Sequence, residues 1–348
     1  MPAEPGALMS PEPGALMPAR PAPLAVSMGD PAGIGPEIVA AAWASRVAEN
    51  LPPFFAIGNR RALEAVWSGP IATLAAPGDA EAAFDSALPL VQVDDTGDIM
   101  PGEPNLAGAR CALDSLEIAV GLARNGFAGG IVTGPVSKAQ LYAIGFNYPG
   151  QTEFVAERCG IAANNAVMML AGPTLRTVPI TVHAPLAEVP RLLSIDLILA
   201  KARVTARALI RDFGIAQPRL AFAGLNPHAG ESGTLGREEL DIIRPALEIL
   251  AGEGIDVHGP IAADSMFHAA ARSHYDAALC MYHDQALIPL KTLHFDDGVN
   301  ITLGLPIVRT SPDHGTAFNI AGKGLASPKA MIAAIRMAGE CAARRLTS

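Results

Sequence analysis

Short apolar runs alternate with longer amphipathic stretches along most of this chain, and the two periods predict two kinds of element. Apolar or β-branched runs at residues 24–28, 54–58, 90–93, 130–133, 166–170, 176–183, 219–223 and 277–281 read as strands. Apolar residues recur at helical spacing over residues 106–126 and 195–213, near 237–251, and over 328–345. The turn from Gly29 to Pro36 leads from the first strand into a further helix, with Pro36 placed to open it. Strand followed by helix, repeated, predicts an α/β fold with a mostly parallel sheet and helices on both faces. Ligands of such sheets sit at the carboxyl ends of strands. The polar residues just after the predicted strands are Asp30, Thr133, Lys138, His183, Asn226, His228, His283 and Asp284, a chemically rich set.

Composition narrows the function classes. The 348 residues are 50% hydrophobic, enough for a large core, while aromatics at 5% argue against an aromatic-rich β-sandwich. The net charge of −9 comes without any Lys/Arg-rich run, so contact with a nucleic-acid backbone is not expected. Any phosphate site must be local. Cys111, Cys159, Cys280 and Cys341 form no paired motif, which fits a reducing compartment. No apolar run reaches membrane-span length and no secretory pattern is present, so a cytoplasmic protein with no membrane partner is expected. Residues 4–9 recur as residues 12–17, and this Pro-rich repeat predicts a disordered tail over 1–21. Beyond the tail no linker interrupts the chain. We expect one lobe from residues 22–140 with 310–348 on a nucleotide side, and another from 141–309 carrying substrate, metal and dimer contacts.

Two constellations carry candidate chemistry. His183, His228 and His283 each follow an apolar strand. If those strands are neighbours, three imidazoles converge, which is the arrangement of a divalent metal site with an open position. Asp264 and Asp284 then stand as orienting or proton-accepting groups. The alternative is that each histidine hydrogen-bonds its own loop. The second constellation is Lys291, Asn300 and Arg309, strand-end cations with an amide that suit one phosphate or carboxylate; solvated surface cations are the alternative. Lys138 at a helix start suits an anion or a proton transfer. The run from His314 to Gly324, rich in small residues, lets a ligand approach the backbone closely, although a structural loop explains it equally well.

These residues resemble a known family. Met28-Gly29-Asp30-Pro31-Ala32-Gly33-Ile34-Gly35-Pro36-Glu37, Gly150-Gln151-Thr152-Glu153-Phe154, Asn226-Pro227-His228-Ala229-Gly230-Glu231, Tyr282-His283-Asp284-Gln285 and His314-Gly315-Thr316-Ala317 look like the 4-hydroxythreonine-4-phosphate dehydrogenases of pyridoxal phosphate biosynthesis. The likeness extends from about Leu24 to the last helix. It implies an isocitrate/isopropylmalate-dehydrogenase-like fold of two intertwined lobes, and a homodimer with sites at the subunit interface. It implies His183, His228 and His283 as ligands of one zinc, magnesium or cobalt ion, one of them supplied by the partner. Gln151, Thr152, Lys291, Asn300 and Arg309 would contact substrate. His314, Gly315, Asn319 and Gly322 would contact NAD or NADP, since their loop is similar to the adenosine-binding loop of decarboxylating dehydrogenases. Asp264, Asp284 and Lys138 are the candidate catalytic groups. The implied reaction is oxidation of 4-phosphohydroxy-L-threonine at C3 and decarboxylation to 3-amino-2-oxopropyl phosphate.

Gln151 departs from the pattern, standing where the family usually has histidine. Glutamine donates a hydrogen bond but carries no proton at neutral pH. Other phosphorylated hydroxy acids, 4-phospho-D-threonate or erythronate, are alternative substrates within the family, whereas a terephthalate-derived dihydrodiol fits the cations poorly. Outside the dehydrogenases, a metal-dependent phosphohydrolase or a non-catalytic phosphometabolite-binding protein would use the same side chains without a nicotinamide.

Overall fold

The computed structural model describes residues 20–93 and 99–347. The repeat at residues 4–17, on which the tail was read, lies outside the described residues. Twelve strands form one sheet: β1 Leu24–Ser27, β2 Phe54–Gly58, β3 Ile71–Thr73, β4 Leu88–Gln92, β5 Ile131–Thr133, β6 Val167–Ala171, β7 Arg176–Pro179, β8 Arg219–Ala223, β9 Asp256–Ile261, β10 Ala277–Cys280, β11 Val299–Leu303 and β12 Arg309–Pro312. Their order is β3-β4-β2-β1-β5-β12-β11-β6-β7-β10-β8-β9. Eight of the eleven pairings are parallel, as expected; the antiparallel ones, β12–β11, β11–β6 and β6–β7, lie together in the middle.

Side chains of a strand alternate between faces, and here the two faces are covered differently. One carries a continuous apolar cluster, from Leu24, Val26, Phe54 and Ala56 through Val299 and Ile301 to Leu220 and Phe222. Helices Gly35–Ala44, Ile195–Arg211, Arg244–Gly252 and Lys329–Arg345 bury their apolar stripes in it. The other face carries two separate clusters. Ala25, Phe55 and Ile131 pack under helices Leu106–Arg124 and Gln151–Arg158, whereas Leu170, Ala221 and Ala278 pack under helix His283–Leu293. Between them lie β12 and β11, whose residues on this face are Arg309, Ser311, Asn300 and Thr302. Polar side chains there give the helices nothing apolar to close on. The face stays open.

Local chemistry sets the element ends. Asn105 and Ser194 accept backbone N–H groups of Gly108 and Leu197 at 2.8 and 3.2 Å, capping helices Leu106–Arg124 and Ile195–Arg211. The strand predicted over 176–183 stops at Pro179, because Thr181 turns its hydroxyl onto the carbonyl of Met281 at 2.8 Å and His183 then adopts φ 53°. The helix predicted near 237–251 begins as a π-turn, Glu239–Ile243, before the α-helix from Arg244. Pro245 has no amide hydrogen to give to the preceding turn, which accounts for the break in the α-pattern there.

Candidate active site

Parallel β7, β10 and β8 are neighbours, so the segments that follow them emerge along one edge of the sheet. Those segments bear His183, His283 and His228. Two stitches fix them relative to one another. Ile180 N donates to the Cys280 carbonyl at 2.7 Å, tying the end of β7 to that of β10. Gln285 accepts from Met281 N at 2.7 Å and donates to the Gly224 carbonyl at 2.8 Å, tying the end of β10 to that of β8.

His183 and His283 meet, with ring centroids 5.6 Å apart. His283 Nδ1 lies 2.8 Å from Asp284 Oδ1, a contact that leaves Nε2 as the free donor atom of that ring. Burial lowers the pKa of His183, with Lys138 and His283 pushing the same way and Glu153 opposing, so its neutral, lone-pair-bearing form is favoured. His228 does not join them. It is exposed on the segment Pro227–Gly233, where His228, Ala229, Gly230, Glu231 and Ser232 all have φ between 43° and 76°. Left-handed backbone costs roughly 1–2 kcal/mol per non-glycine residue. The buried carboxylate of Glu239 holds the strained turn, accepting from Asn226 N at 2.7 Å and Asn226 Nδ2 at 3.0 Å. Among the described residues no three metal-capable side chains cluster within this single chain.

The open stretch of the sheet face is a cavity of 360 Å³, at the small end of the roughly 300–1,000 Å³ typical of ligand sites. Of the residues proposed from sequence, Lys138, Gln151, Thr152, Asn300, Arg309, His183, His283 and His314 line it. Arg309 opens β12 rather than ending a strand, is 3% exposed, and donates to Thr133 Oγ1 at 2.8 Å, Thr302 Oγ1 at 3.1 Å and Thr152 Oγ1 at 3.3 Å. All three partners are neutral. Burial pulls its pKa down to about 10, with the Glu153 charge opposing. Gln151 Nε2 donates to the Gly134 carbonyl at 3.2 Å, while Gln151 Oε1 and Asn300 Oδ1 are buried without a partner. Such acceptors are met by a ligand that brings donors.

The remaining candidates stand apart from the lining. Lys291 lies within helix His283–Leu293, and its ammonium is 2.7 Å from Asp313, a residue of the cavity wall. Asp284 touches the site through His283, and Asp264 is exposed outside the lining. Gly315, Asn319 and Gly322 lie beyond His314 on an exposed loop. That loop is clamped from behind: Ile34 N donates to the Thr316 carbonyl at 3.0 Å, and Gly322 N to Glu37 Oε2 at 3.1 Å. Among the described residues a Cβ at Gly315 or Gly324 would meet nothing within 4 Å, so packing does not demand glycine at either position. Of two further wall residues, Glu153 stood in a quoted motif without a role and Lys201 carried no sequence signal of function.

A cavity on the face of an α/β sheet, lined by a buried guanidinium, two lysines and two paired imidazoles, is the arrangement of an enzyme active site. The family model described as Pyridoxal phosphate biosynthetic protein PdxA matches residues 50–338, and the chain belongs to that family. The 4-hydroxythreonine-4-phosphate dehydrogenase of Zymomonas mobilis is 57% identical over 323 residues, covering 93% of this chain and 96% of the relative. That of Erythrobacter litoralis is 57% identical over 328 residues, covering 93% and 97%. The crystal structure of the Klebsiella pneumoniae 4-hydroxythreonine-4-phosphate dehydrogenase superimposes with a TM-score of 0.83 at 35% identity, over 93% of this chain and 99% of that one. The chain is accordingly a dehydrogenase of pyridoxal phosphate biosynthesis. No helix among the described residues is long and apolar enough to cross a membrane.

Proposed function

We propose that the chain oxidises 4-phosphohydroxy-L-threonine at C3 with NAD or NADP and a divalent metal ion, then releases carbon dioxide to give 3-amino-2-oxopropyl phosphate. The observation that carries the reading is the cavity itself, in which a buried guanidinium faced only by hydroxyls and a pair of imidazoles share one wall. Relatives named for this activity, at 57% identity over nearly the whole chain, support the substrate.

Arg309, with Thr152 and Asn300, holds the phosphate, and Lys291 steadies Asp313 at the rim. Anchoring the phosphate aligns the reacting carbon, so remote binding energy lowers the barrier. The unpartnered Gln151 Oε1 and Asn300 Oδ1 receive substrate N–H or O–H donors. A bound nicotinamide would supply the hydride acceptor for C3, and a bound metal ion would supply Lewis acidity at the C3 oxygen. His183 and His283 offer nitrogen donors of suitable chemistry for that ion, the second oriented by Asp284. The third, His228, fits the site in a homodimer in which one imidazole comes across the subunit interface. The proton lost by the C3 hydroxyl equals the one gained at C2 when carbon dioxide leaves, so one side chain can shuttle both. We assign this to Lys138, which lines the cavity where Asp264 and Asp284 do not.

His314, Gly315, Asn319 and Gly322 would seat the dinucleotide on the clamped loop. The lobes read from sequence, 22–140 with 310–348 and 141–309, meet at this cavity in an isocitrate-dehydrogenase-like arrangement, and we place the enzyme in the cytoplasm.

The test is formation of reduced nicotinamide from 4-phosphohydroxy-L-threonine, with and without chelator, by the wild type and His228→Ala. We expect metal-dependent turnover that His228→Ala abolishes without loss of fold. Turnover of 4-phospho-D-threonate but not of the threonine derivative would reassign the substrate. Full activity of His228→Ala would remove that histidine from the metal site.

A further inference from the structure

One cation at this cavity is not used by the mechanism above. Lys201 sits mid-way along helix Ile195–Arg211, whose Ile198, Leu199 and Ala202 pack into the continuous cluster on the far face. Its side chain leaves that packing to line the cavity and is only 8% exposed. Among the described residues its ammonium makes no hydrogen bond and no contact ion pair; Glu153 is the one opposing charge that acts on it, against a burial that lowers its pKa.

A buried ammonium without a contact partner is costly, and an apolar side chain of similar length would fill the same space at no such cost. The charge becomes favourable only when an opposite charge arrives with a ligand. Arg309 is in the same condition, since its three partners are neutral and Glu153 is again the carboxylate it senses. Lys201 and Arg309 line the same cavity.

We propose that Lys201 is a substrate-binding residue that forms, with Arg309, a two-cation seat for the phosphate group of the substrate. A phosphate monoester carries roughly 1.5–2 negative charges at neutral pH. One guanidinium does not balance that, and the negative charge of Glu153 takes away part of what it offers. Two buried cations leave a net positive charge to meet it even with Glu153 counted. This rests on the reading of the substrate as phosphorylated.

The test compares wild type, Lys201→Met and Lys201→Arg as purified full chains, by steady-state kinetics on 4-phosphohydroxy-L-threonine and by thermal unfolding with and without inorganic phosphate. Methionine keeps the length and apolar stem and removes the charge. In Lys201→Met we expect KM to rise roughly 10- to 100-fold, the range spanned by one charge-assisted hydrogen bond. We expect kcat to stay within about 3-fold, as for an interaction made equally in ground and transition states. The unliganded variant should unfold at the same temperature as wild type or higher, and should lose the stabilisation that inorganic phosphate gives wild type. Arginine should recover part of the KM. An unchanged KM with a lower unfolding temperature would make Lys201 structural, and a collapsed kcat at unchanged KM would make it a proton-transfer group; either overturns the proposal. A wild type that is inert toward the phosphorylated substrate, yet stabilised by phosphate only when Lys201 is present, would instead remove the substrate reading and leave the anion seat standing.

Discussion

Replacing Arg309 by methionine sets two effects of similar size against each other. The guanidinium is buried, and burial pulls its pKa down to about 10, so the fold disfavours its charge by roughly 3 kcal/mol. The sign follows from the folded pKa lying below the unfolded one. The penalty is complete at every pH below about 10 and is relieved as pH rises from there toward the ordinary arginine range. Against it stand three hydrogen bonds, to Thr133, Thr152 and Thr302, worth about 1 kcal/mol each. Arg309→Met removes both, so at neutral pH the fold should change little, with an unfolding temperature within about 5 °C of wild type. Substrate binding has no such compensation, and KM for the phosphorylated substrate should rise roughly 10- to 100-fold or more. Calorimetry beside steady-state kinetics reads both. Arg309→Lys is the control, since one ammonium keeps the charge without the fork that reaches three hydroxyls. A fall of more than about 10 °C at unchanged KM would show that Arg309 holds β5, β11 and β12 together rather than waiting for an anion, and would refute the argument.

Two further outcomes follow from the packing. Burial raises the pKa of Asp212, but paired hydrogen bonds from Arg211 and Arg345 outweigh it and hold the carboxyl below its usual 3.8. Asp212→Asn should then cost about 3–5 kcal/mol at pH 7. Because a depressed carboxylate pKa stabilises above the unfolded value and is lost as pH falls through the folded one, the gap between variant and wild type should close only below pH 3.8, measured by denaturant titration. At Gly230, φ is 76° and a Cβ would stand 2.5 Å from Glu239 Oε2. Gly230→Ala should cost about 1–3 kcal/mol and speed amide exchange in the 226–235 turn; unchanged exchange would mean that the left-handed turn does not depend on Glu239.

The strands that were legible in sequence are those whose apolar runs stand out from polar flanks, such as Phe54–Gly58 and Arg219–Ala223, both found with the ends expected. Hydrophobic alternation also marked the polar residues that follow them, and so the histidines. The missed strands are short or polar. β12 reads Arg309-Thr310-Ser311-Pro312, and β9 carries Asp256, His258 and Pro260 at the sheet edge. Nothing local makes these extended; their partners do, through hydrogen bonds that have no counterpart in the periodicity of one segment.

Sequence by itself determined the α/β class, the mostly parallel sheet and the chemistry at the strand ends, because burial of alternating side chains is a local constraint repeated many times. It also named Arg309 and Asn300 as groups suited to one phosphate or carboxylate. Tertiary structure decided that the apolar cover on one face splits in two, leaving those residues facing an open cavity, and that His183 meets His283 while His228 stands off on a strained turn. It also brought Lys201 in. In the sequence Lys201 is one cation on an amphipathic helix, indistinguishable from a solvated one. Only the placement of that helix against the sheet buries its side chain and brings it to the cavity that Arg309 lines, where an unpaired charge is best met by an incoming anion.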